Sequence, residues 1–242
     1  MKTVDFVWSK IINARVPQDA PDAVASQSRA HLFDEIYKKH KWLFGSGSGS
    51  VAVLNRPYIR FVNSVLEKHS DIHTVVDIGC GDWQIGQNLE LGNKDYVGCD
   101  ISRFILEKTK QKFASPRRRF IHLDAVTDEL PQGDLVIVRD VLQHLSNKEV
   151  ARVLSKLGKY KYAIIQNDIR SGGTRNRDIR TGDFRQLDIT APPFNATRYH
   201  LSFVYTSGWL NLANPLLTLA RAPLFKKGIF TNLPEYLSKQ RS

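Results

Sequence analysis

The chain has 242 residues, 42% of them hydrophobic, and a formal net charge of +11, which suits one well-buried globular domain and favours acidic partners in general, from nucleic acid and phosphorylated metabolites to an anionic membrane face, without choosing among them. No segment reaches the roughly 18 consecutive apolar residues of a membrane helix, and Met1 to Lys10 lacks the apolar core and small-residue cleavage site of a secretory leader, so the expectation is a soluble, cytoplasmic protein. Cys80 and Cys99 are the two cysteines and are expected as reduced packing residues at strand ends.

Helical spacing marks the N-terminal section. Leu32, Phe33, Ile36 and Tyr37 form one apolar stripe with His40 at its edge, which predicts a helix that caps the core. Gly45-Ser46-Gly47-Ser48-Gly49-Ser50 has the composition of a flexible linker. Its position argues otherwise: it lies between Trp42-Leu43-Phe44 and a helix predicted over Arg56 to Lys68, where such a loop can fold over a ligand and offer amide donors.

An apolar run, Thr74 to Ile78, predicts a buried parallel strand. It carries Asp77 and leads into the turn Gly79-Cys80-Gly81-Asp82, whose glycines let backbone approach a ligand where a side chain would collide. A helix is then predicted over Trp83 to Leu91, a strand over Asp95 to Cys99 ending at Asp100, and a helix over Ser102 to Phe113 with Ser102 as N-cap. Asp100 follows Gly79 by twenty-one positions, close to the spacing at which an acid reaches the ribose hydroxyls of an adenosine ligand.

After Arg117-Arg118-Arg119, read as a solvated loop, strands are predicted over Phe120 to Leu123, ending at Asp124, and over Leu135 to Arg139. A helix follows over Asn147 to Leu157 and a fifth strand over Tyr162 to Gln166. This alternation implies a parallel sheet covered on both faces, with ligands outside the carboxyl ends of its strands. Residues 167–195 lack periodicity and gather Arg170, Arg175, Arg177, Arg180 and Arg185 beside Asp168, Asp178 and Asp183, a loop of functional length. Further on, Tyr199 to Tyr205 and Gly228 to Leu233 read as strands and Leu210 to Leu219 as an apolar helix. The stretch from Leu216 to Phe225, interrupted by Pro223, reads as core packing in preference to membrane contact.

These strand ends resemble those of the class I S-adenosylmethionine-dependent methyltransferases, over roughly residues 70 to 170. The resemblance implies an α/β, Rossmann-like fold: a central, mostly parallel seven-stranded sheet with helices on both faces, residues 56–242, preceded by a helical cap and glycine–serine loop, residues 1–55. It implies S-adenosyl-L-methionine as cofactor, with Gly79 and Gly81 beneath its methionine part and Asp77 orienting the loop or the amino group. Asp100 then takes the ribose hydroxyls, Asp124 faces the adenine amino group and the Ala125 amide the ring. Trp42, Ser46, Asp82, Trp83, Ile101 and Arg139 complete the cofactor-binding set. The dinucleotide fingerprint G-x-G-x-x-G does not fit: Gly79-Cys80-Gly81-Asp82-Trp83-Gln84 lacks the third glycine and puts Asp82 where a diphosphate would be repelled.

More narrowly, Trp42 to Ser50, Arg139 to Ser146, Thr181 to Arg185 and Pro192 to Asn195 are similar to a group of small bacterial methyltransferases associated with polysaccharide and glycan biosynthesis. That likeness places the glycine–serine segment in the cofactor pocket and residues 167–195 in the acceptor pocket.

Methyl transfer from a sulfonium is an in-line displacement in which alignment and water exclusion dominate, but an attacking hydroxyl also needs a base, and histidine is a natural one. His144 lies four residues beyond Asp140, on the same face if the segment is a helical turn. Two readings stand: Asp140 orients His144 as the catalytic base, or His144 packs over the cofactor. Asp140, Asn167 and Asp168 at adjacent strand ends also leave a Mg²⁺ site open, although no metal ligands are assigned. Asp168, Arg170, Arg185 and His200 are expected to bind substrate, since guanidinium forks suit an anionic acceptor, and His122 reads as a packed strand residue.

The expected function is O-methylation of a hydroxyl on a sugar, glycan or other small molecule. An RNA or other nucleic-acid methyltransferase is the alternative that the charge suggests. Against it, the chain carries no appended RNA-binding module, no basic stripe interleaved with aromatics and no Asn-Pro-Pro-Tyr-type tetrapeptide after the fourth strand. A degenerate fold that only binds is a third reading, opposed by the acids at 77, 100 and 124. The sequence does not speak to oligomeric state.

Overall fold

The computed structural model describes residues 22–41, 52–169, 176–207 and 225–237. Its centre is a seven-stranded sheet: β1 (Thr74–Ile78), β2 (Asp95–Asp100), β3 (Arg118–His122), β4 (Leu135–Arg139), β5 (Tyr162–Asp168), β6 (His200–Ser207) and β7 (Phe225–Thr231), in the order β3-β2-β1-β4-β5-β7-β6. The first five run parallel, and β7 enters antiparallel between β5 and β6. The helices are α1 (Asp22–Lys38), α2 (Arg56–Lys68), α3 (Arg103–Phe113), α4 (Asn147–Lys156) and the short α5 (Pro234–Leu237). None is long and apolar enough to cross a membrane.

The central strands are apolar on both sides because both faces are covered. Val75, Leu135, Ile137 and Ile164 pack with Tyr58, Phe61, Val62 and Val65 of α2, while Val76, Val136, Val138 and Ile165 pack with Leu32, Phe33 and Ile36 of α1 and Val150 and Val153 of α4. The predicted apolar stripe of α1 is therefore part of the main core. Polar contacts fix the same helix: Asp34 accepts from Ser102 Oγ at 2.6 Å and from the Phe104 amide at 3.1 Å, at the start of α3. Ser102 caps α3 as its position predicts, and Ser146 forms a capping box with Glu149 at the start of α4.

The structure departs from the sequence reading in several places. No α-helix forms over Trp83 to Leu91; a single 3-10 turn, Gly86–Asn88, stands there. Trp83 takes φ +59 and buries its ring against Tyr96, Phe113 and Phe120, so the chain bends where a helix would have continued. β3 begins two residues earlier than expected, since Arg118 and Arg119 lie exposed on the sheet's edge strand. β5 runs on to Asp168, and β7 covers Phe225–Thr231, earlier than the predicted span. Trp42, the Gly45 to Ser50 segment with Ser46, Arg170, Arg175 and the predicted helix Leu210 to Leu219 lie outside the described residues.

Candidate active site

The carboxyl ends of β1 and β2 hold the glycine turn in place. Gly79 and Gly81 adopt φ +77 and +54, the left-handed region that only glycine enters freely. A Cβ on Gly79 would lie 2.2 Å from Cγ2 of Val141, so the turn also packs tightly against the segment after β4. The Gly79 and Cys80 amides both donate to the Cys99 carbonyl, at 2.7 and 3.0 Å. Gly81 N–H donates to Asp100 Oδ2 at 2.9 Å, and Thr109 Oγ1 of α3 donates to the Gly81 carbonyl at 2.9 Å.

Two buried carboxylates flank this turn. Asp77 accepts from the Tyr96 hydroxyl at 2.5 Å; burial raises its pKa against the opposing effects of that bond and of Arg139. Asp100 Oδ1 accepts from Ser102 N–H at 2.9 Å. Burial pushes its carboxyl up to about 6, and the Ser102 and Gly81 amides hold back part of that rise. Each Asp100 oxygen receives one main-chain hydrogen and keeps a lone pair for another donor.

Asp124, after β3, is 1% exposed. Its Oδ2 accepts from Arg29 Nε and Nη2 of α1 at 2.9 and 2.7 Å, and its Oδ1 from Val126 N–H at 2.9 Å. Ala125 is buried beside it, its carbonyl accepting from Lys156 Nζ at 3.1 Å. The Ile101 carbonyl faces Nε2 of His122 at 3.0 Å, which fixes that histidine locally. Asp82 Oδ2 accepts from Gln84 Nε2 at 2.6 Å. Trp83 does not face the ligand turn as the sequence suggests; its side chain is in the core.

A second polar cluster forms where β4, β5 and β7 end. Asp140 takes φ +56 and is gripped by Lys227 Nζ at 2.7 Å, Gln166 Nε2 at 3.1 Å and Arg139 Nη1 at 3.2 Å. Burial raises the Asp140 carboxyl, but Lys227 and Arg139 outweigh it and hold the group below its ordinary range. The Tyr205 hydroxyl bonds Gln166 Oε1 at 2.8 Å and Asn55 Oδ1 at 3.0 Å, and the Arg139 guanidinium stands 5.6 Å from the centre of the Tyr58 ring.

His144 ends a 3-10 turn, Leu142–His144. Its Nδ1 lies 3.0 Å from the Asp183 carbonyl, and its own carbonyl accepts from Gly182 N–H at 2.8 Å. A carbonyl only accepts, so Nδ1 carries the hydrogen and Nε2 the lone pair. Burial pushes the imidazole down to about 4, with the Asp183 carbonyl and the Asp140 charge opposing. The expected Asp140–His144 pair is not hydrogen-bonded: the segment is a tight 3-10 turn, and Asp140 is turned to Lys227.

The remaining predicted residues divide. Asp168 is fully buried at the end of β5, its amide donating to Gln143 Oε1 at 2.8 Å. Arg185 is 3% exposed; Nη2 donates to the Leu145 carbonyl at 2.7 Å and Nη1 to that of Arg177 at 2.9 Å. It therefore clamps the loop onto the turn that carries His144, a different task from gripping an acceptor. His200 pairs with Thr231, which pairs with Ile164, whereas Asp168 pairs with Lys227 and Lys227 with Tyr205. That register sets His200 four rungs from the strand-end tier, about 13 Å away. Among the described residues no group of three His, Cys, Asp or Glu side chains is placed to hold a metal, and the Asp140 oxygens already face cationic side chains.

Lys227, Gln166, Tyr205 and Arg29 join the candidate site through hydrogen bonds that sequence reasoning does not find. Lys227 carries a faint signal, the second of two lysines that precede Gly228-Ile229-Phe230; the others carry none, because their partners are far apart along the chain.

Comparison with known proteins agrees with this architecture. A protein-family profile described as a methyltransferase domain matches residues 76–160, from within β1 to just before β5. Uncharacterized methyltransferases of Mycobacterium tuberculosis and Mycobacterium bovis are 33% identical over 86 residues, 35% of this chain; the chain spans 43% of the length of these curated relatives. Among solved structures, a 1,6-didemethyltoxoflavin-N1-methyltransferase of Burkholderia thailandensis, with bound 1,6-didemethyltoxoflavin and S-adenosylhomocysteine, superposes with a TM-score of 0.59 at 14% identity, covering 89% of this chain and 90% of that one. A magnesium protoporphyrin IX methyltransferase of Synechocystis with bound S-adenosylmethionine gives 0.57 at 14% identity, covering 90% and 100%. At such identities the likeness is one of fold, and the fold is that of the Rossmann-like class I methyltransferases.

Proposed function

We propose that this chain is an S-adenosylmethionine-dependent methyltransferase that methylates a hydroxyl group of a sugar, glycan or other small molecule. The observation that carries the reading is the state of Asp100. It is a buried carboxylate at the end of β2, anchored by the glycine turn and by the start of α3, with one acceptor position left on each oxygen. A vicinal diol fits that pair, and the neighbouring carboxylates Asp77 and Asp124 make the site one of acceptors, suited to hydroxyl, amino and sulfonium groups and hostile to phosphate.

In this reading Asp77 and the glycine turn border the methionine part, Asp100 takes the ribose hydroxyls and Asp124 with Ala125 reads the adenine. The cofactor, when bound, supplies a methyl carbon activated by its positive sulfur. The protein's own residues align the acceptor and exclude water. His144 stays neutral at physiological pH because of its burial, and its Nε2, which faces the Gln143 side-chain amide nitrogen at 3.5 Å, accepts the proton of the attacking hydroxyl when that hydroxyl takes the amide's place. The Asp183 carbonyl fixes the ring and stabilises the imidazolium as it forms. Lys227 and Arg139 surround Asp140 with positive charge, which favours a developing oxyanion nearby. The segment 181–185, clamped by Arg185, forms the acceptor side.

The test is transfer of isotopically labelled methyl from S-adenosylmethionine to a panel of sugars, glycans and phenols, with the product's linkage read by mass spectrometry and NMR. Label on oxygen supports the reading; label only on nitrogen or carbon, with hydroxyl acceptors inert, overturns the O-methyl assignment.

A further inference from the structure

We propose that Arg29 of α1 is a positioning residue for the adenine subsite, setting the cofactor base selectivity through Asp124; this rests on the reading of Asp124 as the base-facing carboxylate. Arg29 is 2% exposed and lies ninety-five positions before Asp124. Both Nε and Nη2 converge on the single oxygen Oδ2, at 2.9 and 2.7 Å, while Oδ1 is aimed by the Val126 amide at 2.9 Å. The carboxylate is thus held in one rotation, with Oδ2 consumed and Oδ1 retaining one lone pair beside the buried Ala125 turn.

Burying an anion without a partner is costly, and Arg29 supplies the partner at the required place. Its remaining arm, Nη1, donates to Glu149 Oε1 at 3.1 Å. Glu149 in turn caps α4 through Oε2, which accepts from the Ser146 amide at 2.9 Å and from Thr181 Oγ1. Arg29 therefore cannot swing to Asp124's other oxygen without abandoning Glu149.

A fixed, charged Oδ1 favours a ligand edge that donates. Adenine presents an amino group at that edge and hypoxanthine a carbonyl oxygen, which the carboxylate repels. If Arg29 is lost, Oδ2 loses both of its partners and the carboxylate can rotate, so that Oδ1 is no longer held against one edge of the base. The base preference should then collapse.

The experiment is calorimetric titration with S-adenosylhomocysteine and S-inosylhomocysteine of the wild type, Arg29→Met, Arg29→Lys, Asp124→Asn, Glu149→Gln and the double variant Arg29→Met/Asp124→Asn. The wild type should prefer the adenine ligand by about tenfold or more. Arg29→Met and Asp124→Asn should each bring the ratio within about twofold of unity, the double variant should add nothing to Asp124→Asn, and Arg29→Lys should keep an intermediate preference. Glu149→Gln, which removes the charge but keeps an oxygen to accept from Nη1 and leaves both Asp124 contacts in place, should leave the ratio unchanged. Should Arg29→Met fail to fold, Arg29→Lys against Glu149→Gln decides the same question. The proposal is overturned if Arg29 variants weaken both ligands equally, or if Glu149→Gln lowers the ratio as much. A wild type that binds neither ligand, or binds both alike, overturns instead the reading of Asp124 on which the proposal stands.

Discussion

The imidazole Nδ1 of His144 stands 3.0 Å from the main-chain carbonyl of Asp183, while the carboxylate of Asp140, four residues earlier in the chain, is bonded to Lys227, Gln166 and Arg139. The ring is thereby oriented by a loop it meets only in the folded protein. If His144 is the base, His144→Ala should lower turnover by about 100-fold or more while leaving S-adenosylhomocysteine affinity within about twofold. Asp140→Asn should leave the ring in place, since Asp140 does not hold it, but should move the acid limb of the remaining activity to lower pH, because the Asp140 charge raises the His144 pKa. Retained turnover in His144→Ala would remove it as the base.

The buried imidazole has a stability consequence with a definite sign. Its folded pKa, about 4, lies below the ordinary value of 6.5, so between those values the unfolded chain takes up a proton that the folded protein refuses. Stability should fall as pH drops from about 6.5 to about 4, by up to roughly 2–3 kcal/mol from this group. Asp100, raised to about 6, works in the opposite direction over an overlapping range, its folded form holding a proton the unfolded chain has released. The comparison to make is urea denaturation of wild type and His144→Gln across pH 4 to 8. The difference between the two should slope with pH; parallel curves would contradict the burial of a neutral ring.

Cofactor affinity should carry its own pH signature. Hydroxyl donors need Asp100 as a carboxylate, and its carboxyl titrates at about 6 in the free protein. The dissociation constant of S-adenosylhomocysteine should be flat above neutrality and rise by up to about tenfold per pH unit below that point. Calorimetry over pH 4.5 to 8 would show it, and a constant affinity down to pH 5 would contradict it.

Lys227 bridges the antiparallel strand β7 to the end of β4. Its side chain and that of Asp140 are 4% and 14% exposed, so Lys227→Met leaves a mostly buried carboxylate short of its nearest cation. A loss of about 3 kcal/mol is expected, measured by denaturant melts, with much of it recovered in Lys227→Met/Asp140→Asn. Additive losses in the pair would show that the two residues are not coupled.

The sheet is legible in the sequence because its central strands are buried on both faces, and a continuous apolar run such as Leu135-Val136-Ile137-Val138 suits few environments besides that one. Asp77, Asp100 and Asp124 are legible because each stands at or beside a strand's carboxyl end, and strand ends gather at one rim. Trp83 to Leu91 misleads because the aromatic that suggests a helix start is instead a core residue with φ +59. His200 misleads because it opens β6, which runs in the direction of β5 with β7 antiparallel between them, so it stands at the end of the sheet opposite the rim. Arg185 looks like an anion receptor, since an arginine's charge is legible in sequence and its carbonyl partners are not. Arg29 and Lys227 are invisible for a similar reason: each acts on a carboxylate from an element distant in the chain.

The central claim is that the rim around Asp100 holds S-adenosylmethionine, and its most direct test is calorimetric titration of S-adenosylhomocysteine into wild type and Asp100→Ala, with folding of both verified by circular dichroism. The account predicts saturable one-to-one binding to the wild type and none measurable to Asp100→Ala at millimolar ligand. Native affinity in Asp100→Ala would contradict it.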